Sequence, residues 1–496
     1  MGDGRRTDGD MRSTLAPVHE DEPVKPGLLA NTAALVVGRL VIAVLGWSGT
    51  VLIARDLSTE AFGQFTLVFS LLGMLSIVTD LGVGRIVIGG LVGDAPDRDR
   101  LAGTYILLRT TLGLLGYALA LAVVTLADYP DPVPKATAVA GLIVVLATPS
   151  SAYDAAFQVT GRLARIAVAD TLGQLAQIAL TVALVVRGSS LVWYTVPGVL
   201  NAALVMLWKV PASHRLIPFR YRVDLRLWWV MLKEAVPLSA GAAFATLYYR
   251  VDSIMLASIA DFEAVGLYGV AYKFVDLVHF IPGSLTVAIL APLAAAWPER
   301  TDEFLGHIRS GAMLLAVIGG GVVVGVWLFA EPAVSLLYGS EFAPAGLATS
   351  LAVSGEVLAF GSALLIAVMI SVGRQKAYPL ITLAGLGVNI AANAVLIPRF
   401  SIEGAAAATL GTESLVLAIL LWWAHREGDL LPSGLGSLGR LPVVMAGSIA
   451  VGLGLSATLP WLVAAVLTGA LYLVAVDRSG ATGQQGLRGL IEGRAS

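Results

Sequence analysis

Four basic residues, Arg39, Arg109, Arg250 and Lys273, stand inside long apolar segments. Placing a cation at mid-bilayer costs about 2.5 to 3.5 kcal/mol even on the gentler insertion scale, so such residues require water or tight partners. Arg39 lies about 11 residues into its segment, Arg250 about 15 and Lys273 about nine. At about 1.5 Å per residue all three come near mid-depth. A cationic cavity is expected.

Acids for these cations are Asp252, Asp276, Glu356 and Glu413. Lys273 has Asp276 at i+3 on the same helical face, so a local pair competes with a cavity role. Arg250 and Asp252 are two apart and face different directions, which leaves Arg250 harder to neutralise locally. Arg39 has no acid within four residues and shares a stripe with Asn31 and Leu35. Arg109 is open to snorkelling or packing as well as to the cavity. Asp80 and Arg85 read as a cytoplasmic pair. Glu356 and Glu413 are candidate proton or cation ligands, or counter-ions to the same cations. His279, three residues after Asp276 and before Pro282, is either a pH-sensitive group or a packing histidine. Asn389 and Asn393, at i and i+4, suit interhelical hydrogen bonds or contacts to a sugar.

The elements that hold these residues are apolar helices. Of 496 residues, 57% are hydrophobic and 13% charged, and mean hydropathy is +0.82. A bilayer core of about 30 Å takes roughly 20 helical residues per crossing. About 14 such spans fit between Leu28 and Val476, so the fold class is an all-α polytopic membrane protein. The spans run at about 28–54, 62–84, 101–126, 136–158, 164–186, 189–210, 235–259, 264–296, 307–329, 346–372, 378–397, 403–424, 439–457 and 459–477. Prolines such as Pro149, Pro282 and Pro292 give these helices bends.

With the N-terminus inside, 24 of the 32 basic residues fall on the cytoplasmic side and 4 outside. That asymmetry orients the chain N-in, C-in. At an offset of 203, Glu60-Ala61-Phe62-Gly63 lies over Glu263-Ala264-Val265-Gly266. Six spans intervene, so the copies keep one orientation, as in transporters built from parallel repeats. The expected organisation is a disordered cytoplasmic tail (1–27), an N-terminal six-helix lobe (28–212), a basic cytoplasmic linker (213–234), a C-terminal six-helix lobe (235–425), an accessory helix pair (426–477) and a cytoplasmic tail (478–496). With no cysteine, thiol catalysis and thiolate metal sites are excluded. No catalytic residue, metal or cofactor is expected, and nothing points to nucleic acid.

The chain resembles the Wzx-like polysaccharide and oligosaccharidyl-lipid flippases of the MOP (MATE-like) superfamily. The carrying residues are Leu52-Ile53-Ala54-Arg55-Asp56-Leu57-Ser58, Phe62-Gly63-Gln64-Phe65, Asp80-Leu81-Gly82, Tyr249-Arg250-Val251-Asp252-Ser253, Val265-Gly266-Leu267-Tyr268, Leu337-Tyr338-Gly339 and Leu396-Ile397-Pro398-Arg399-Phe400. The resemblance implies two six-helix lobes with a cationic central cavity. It implies transport of a polyprenyl-pyrophosphate-linked oligosaccharide from the inner to the outer leaflet of the bacterial cytoplasmic membrane by alternating access, with a polysaccharide polymerase and glycosyltransferases as neighbours. Arg39, Arg250 and Lys273 then become the pyrophosphate-binding candidates, and forked guanidinium donors suit that group. Arg109, Asp252, Asp276, Glu356, Glu413, Asn389 and Asn393 are the further cavity or coupling candidates.

Rival readings are a lipid-linked peptidoglycan precursor flippase, which needs the same cations, and a MATE-type drug exporter, which would want carboxylates where Arg39 stands. A membrane glycosyltransferase would need a large outer loop with catalytic acids. The outer loops reach about 16 residues, and Asp261 and Glu263 in one of them read as a solvated turn.

Overall fold

The computed structural model describes residues 42–92, 97–427 and 430–482, and the described residues are helical with short connections. Helix α1 runs over 42–56 and takes in the last part of the first expected span, 28–54; the rest of that span, Arg39 included, lies outside the described residues, as do the N-terminal tail and the end of the C-terminal tail. The helices that follow are α2 (Thr59–Asp80), α3 (Val83–Leu91), α4 (Arg98–Leu126), α5 (Val133–Val159), α6 (Ala164–Val186), α7 (Val196–His214) and α8 (Leu225–Ile259). Then come α9 (Phe262–Ala296), α10 (Thr301–Tyr338), α11 (Ala345–Ser371), α12 (Tyr378–Arg426), α13 (Leu441–Ser456) and α14 (Trp461–Ser479).

Eleven of the described helices are long and apolar enough to cross a membrane, twelve if the bent α8 is one span. Two differences from the expected spans have local causes. The second span stops at Asp80 rather than 84, because Leu81 and Gly82 are both left-handed, with φ of 43° and 66°, and a right-handed helix does not pass two such residues. The eleventh and twelfth expected spans both lie in α12, separated by Ser401, whose φ of 46° and ψ of −121° break the helix. Beside this break the backbone approaches itself closely: a Cβ on Gly404 would meet the Leu396 carbonyl oxygen at 2.4 Å.

Two residues aligned by the offset of 203 begin helices in the same way. Ser58 caps α2, its Oγ accepting from the Ala61 N–H at 3.2 Å, and Asp261 caps α9, accepting from the Ala264 N–H at 2.7 Å. These two caps are separated by the same offset of 203 that aligns the sequence with itself. Glu60 and Glu263 each follow in the first turn, where a carboxylate complements the helix dipole. Asp261 and Glu263 thus begin a helix.

The chain divides into two compact units, one ending at Arg250 and the other starting at Val251. In the first unit α4 packs on α5 and α5 on α7. At one end its core gathers Val83, Val87, Tyr105, Leu108 and Tyr153, and Met231 and Ala235 of α8 join it. The basic linker is strapped to α4: the Arg220 N–H donates to the Asp99 carbonyl at 2.9 Å and the Thr104 hydroxyl to the Arg222 carbonyl at 3.0 Å. Gly103 is required there, since a Cβ would come 2.1 Å from the Arg220 carbonyl oxygen. Asp224 then caps α8 through the Leu227 N–H at 3.1 Å and pairs with Arg100.

In the second unit α11 packs on α9, α10 and α12, and the pair α13–α14 packs on α10. Small residues permit the last contact: Gly320 faces Tyr472, whose hydroxyl donates to the Val317 carbonyl at 2.8 Å. The outer surfaces of α13 and α14 expose Val443, Leu453, Leu462 and Val466. Such surfaces suit lipid rather than water.

Candidate functional site

Asp252, on α8, is the most enclosed acid among the candidates, at 1% exposure. One carboxylate oxygen accepts from the hydroxyls of Tyr268 (2.7 Å), Tyr272 (3.1 Å) and Thr409 (2.8 Å); the other accepts from the Asn393 side-chain amide at 2.7 Å. The same Asn393 nitrogen donates to the Asn389 side-chain oxygen at 2.9 Å. Helical spacing explains the arrangement, since Tyr268 and Tyr272 are i and i+4 on α9 and Asn389 and Asn393 are i and i+4 before the break in α12. The break lets Thr409, from the second limb of the same helix, reach the carboxylate that Asn393 reaches from the first.

A buried carboxylate persists only when its lone pairs are met, and four uncharged donors meet these. The Asn393 side-chain oxygen and the Asn389 side-chain nitrogen are buried without a hydrogen-bond partner among the described residues. Carboxylate, amide and hydroxyl oxygens gathered in one place are the donor set of a small hard cation, and a lone buried carboxylate is equally a proton acceptor.

Farther along α9 lies a second polar group. Lys273 pairs with Asp276 at 3.2 Å, the i+3 partner expected from sequence, and both are partly exposed. His279 Nδ1 is 2.8 Å from a carboxylate oxygen of Glu356, on α11, whose side chain is 3% exposed. Glu413, on α12, is buried and near enough to act electrostatically on His279.

In the first unit, Arg250 is partly buried and lies against α2, where a Cβ on Gly73 would approach its Nε at 3.1 Å. Arg109 is buried and fully engaged. It donates to the Thr79 carbonyl (2.7 Å), the Asp80 carbonyl (3.1 Å) and carboxylate (2.6 Å), the Thr148 carbonyl (3.3 Å) and the Ser151 hydroxyl (2.6 Å). It therefore ties the end of α2 to α5 and pairs with Asp80; the expected pairing of Asp80 with Arg85 falls on a side chain outside the described residues. Lys209 is 4% exposed and stands 2.9 Å from both Asp154 and Asp170.

Of the candidates, the structure brings Asp252, Asn389 and Asn393 together, and adds Tyr268, Tyr272 and Thr409. The Tyr268/Tyr272 spacing was the available signal for two of these. Thr409 carried none, because its role depends on the break at Ser401. Among the described residues no group of three or more His, Cys, Asp or Glu is placed to hold a metal ion.

Comparison with solved structures shows the same fold in the lipid II flippase MurJ, inward closed conformation. The TM-score is 0.73 at 13% identity over 90% of this chain and 98% of that one. A multidrug resistance MATE family transporter of the MOP superfamily, inward-facing, gives a TM-score of 0.63 at 16% identity over 78% and 95%. A MOP superfamily transporter from Pyrococcus furiosus, described as having a binding pocket of reverse polarity, gives 0.55 at 13% identity over 81% and 95%. A comparison with curated proteins gave no match. The model of the family described as polysaccharide biosynthesis protein matches residues 28–295, more than half of the chain. With the fold shared by these transporters and with eleven or twelve described helices long and apolar enough to cross a membrane, this chain belongs to the polysaccharide biosynthesis protein family.

Proposed function

We propose that this protein is a flippase that moves a polyprenyl-pyrophosphate-linked oligosaccharide from the inner to the outer leaflet of the bacterial cytoplasmic membrane, by alternating access, for export of a cell-surface polysaccharide. The observation that carries the reading is the family match over residues 28–295 combined with Arg250, a cation held partly buried within a spanning segment. Arg39, Arg250 and Lys273 are the residues assigned to the pyrophosphate. Arg250 presents a forked donor that makes no ion pair among the described residues, whereas Lys273 already shares Asp276. No catalytic residue is assigned.

Transport also needs a driving force. An inside-negative potential favours outward movement of a doubly negative headgroup by about 4.6 kcal/mol per 100 mV. The Asp252 cluster is assigned to coupling, by exchange of a proton or a small cation at its carboxylate.

A second reading, flipping of a lipid-linked peptidoglycan precursor, is favoured by the TM-score of 0.73 to the lipid II flippase over 90% of this chain, against 0.63 and 78% for the MATE transporter. Reconstitution into proteoliposomes with each lipid in turn separates the two. The first reading expects protein-dependent loss of leaflet asymmetry for the oligosaccharide lipid, with the peptidoglycan precursor left in place. The reverse pattern would replace it by the second.

A further inference from the structure

We propose that the first limb of α8 lies along the cytoplasmic surface of the membrane and binds phospholipids with anionic headgroups. Helix α8 is bent by 68° between the limb Leu225–Val236 and the limb Ser239–Ile259. Pro237 stands at the bend, and it lacks the N–H that would bond the Lys233 carbonyl. At about 1.5 Å per residue the second limb alone reaches roughly 30 Å, the thickness of the hydrocarbon core. The first limb is about 18 Å long, and at that angle it advances only about 7 Å along the axis of the second. It therefore runs mostly across the direction of crossing. The basic residues around it, Arg215 to Lys233, belong to the cytoplasmic side by the positive-inside rule.

The two faces of this limb differ. One is fixed to the protein: the Trp228 Nε1–H donates to the Thr104 carbonyl at 3.0 Å, and Met231 and Ala235 are buried in the core of the first unit. The opposite face exposes Leu225 and Trp229, each by 68%, and Val236 by 47%, at i, i+4 and i+11. Arg226 and Lys233 are exposed on the same stripe, and Arg222 is exposed just before it. Surrounded by water, this stripe would be an uncovered apolar patch, and in hydrocarbon its cations would be costly. The boundary between the two suits both, and tryptophan beside basic residues is the composition of helices that lie there.

Charge selects the lipid. No acid stands on the exposed stripe: Glu234 is partly buried on another side of the limb, and Asp224 is held by Arg100 and the Leu227 N–H. Neither Arg222 nor Lys233 makes an ion pair among the described residues. An anionic headgroup meets them without displacing an internal partner. Each such cation beside a charged leaflet gives about a fivefold preference for the anionic lipid. This surface is independent of whichever lipid the protein carries across.

The chain has no cysteine, so Leu225→Cys gives one attachment point for a fluorophore in the full-length protein. The labelled protein is reconstituted into phosphatidylcholine vesicles without cargo. Quenching is then compared for phosphatidylglycerol and phosphatidylcholine that each carry a nitroxide near the headgroup. The phosphatidylglycerol quencher is expected to act at a content lower by about fivefold or more. That preference should disappear when Arg222→Gln and Lys233→Gln are combined, and also at high salt, which screens the charges. If the double variant is not monodisperse on gel filtration, the salt series with the native charges decides. Equal quenching by the two lipids, or a preference that survives either change, would overturn the proposal. So would quenching by aqueous iodide with neither lipid effective, which would put the limb in water and leave its stripe to a protein partner. Because no lipid-linked sugar is present, failure here leaves the flippase reading untouched.

Discussion

The hydroxyl of Tyr268 lies 2.7 Å from the carboxylate of Asp252, with both residues closed off from solvent. Donor and acceptor come from consecutive helices, and Asn393 and Thr409 complete the set from both limbs of α12. The donors hold the carboxylate in place and are all neutral, and the proposed coupling role assigns its charge to a proton or a small cation.

Asp252→Asn keeps the shape of the side chain and removes the charge. It is expected to insert normally and to lower export at least tenfold, measured as surface polysaccharide per unit of membrane-embedded protein. Tyr268→Phe removes one of four donors and should have a smaller effect. Wild-type export from Asp252→Asn would remove the coupling role.

Gly73 leaves room for Arg250, whose Nε a Cβ there would approach at 3.1 Å. Gly73→Val should therefore displace the guanidinium and mimic Arg250→Ala, which is expected to abolish export while insertion stays normal. The double variant should be no worse than either single one. Additive losses would show that Gly73 acts on something else.

Arg109 has the opposite character, donating to the backbone of Thr79, Asp80 and Thr148 and to the side chains of Asp80 and Ser151, all in its own unit. Arg109→Met should lower stability in detergent by about 2 to 4 kcal/mol, because carbonyls of α2 and α5 lose charged donors. Export per folded molecule should change little. Unchanged thermal stability with lost export would move Arg109 into the transport machinery.

Asp224 is the group with a pH signature outside the spans. The Leu227 N–H it accepts, and then Arg100, hold its carboxyl below the ordinary value of 3.8. A depressed folded value means that the cap contributes above the unfolded value, and that this contribution is lost as pH falls through the folded one. Its size is about 1 kcal/mol. The wild type should lose that stability below about pH 4 relative to Asp224→Asn, by thermal unfolding in detergent. Parallel curves would contradict it.

Much of the fold was legible because hydropathy alone marks a helix that lipid must surround. The fifth expected span, 164–186, has the bounds of Ala164–Val186. The breaks were less legible. Leu81 and Ser401 are ordinary residues by type, and nothing in their identity announces a positive φ.

The charged candidates were legible for a similar reason, since each stood out against an apolar background. Lys273 and Asp276 could be paired from their spacing. Asp252 could not be joined to Thr409, 157 residues away, nor Arg109 to Asp80, because partners on different helices leave no periodicity to read. Tyr268 and Tyr272 did leave one, an i, i+4 pair of hydroxyls two turns into a span.

The most direct test of the central claim is to deplete the protein in cells and extract the polyprenyl-pyrophosphate lipids after labelling with a membrane-impermeant sugar probe. The account predicts accumulation of a completed oligosaccharide lipid that the probe cannot reach, on the cytoplasmic leaflet. If no lipid-linked sugar accumulates, or only the peptidoglycan precursor does, the proposed cargo is contradicted.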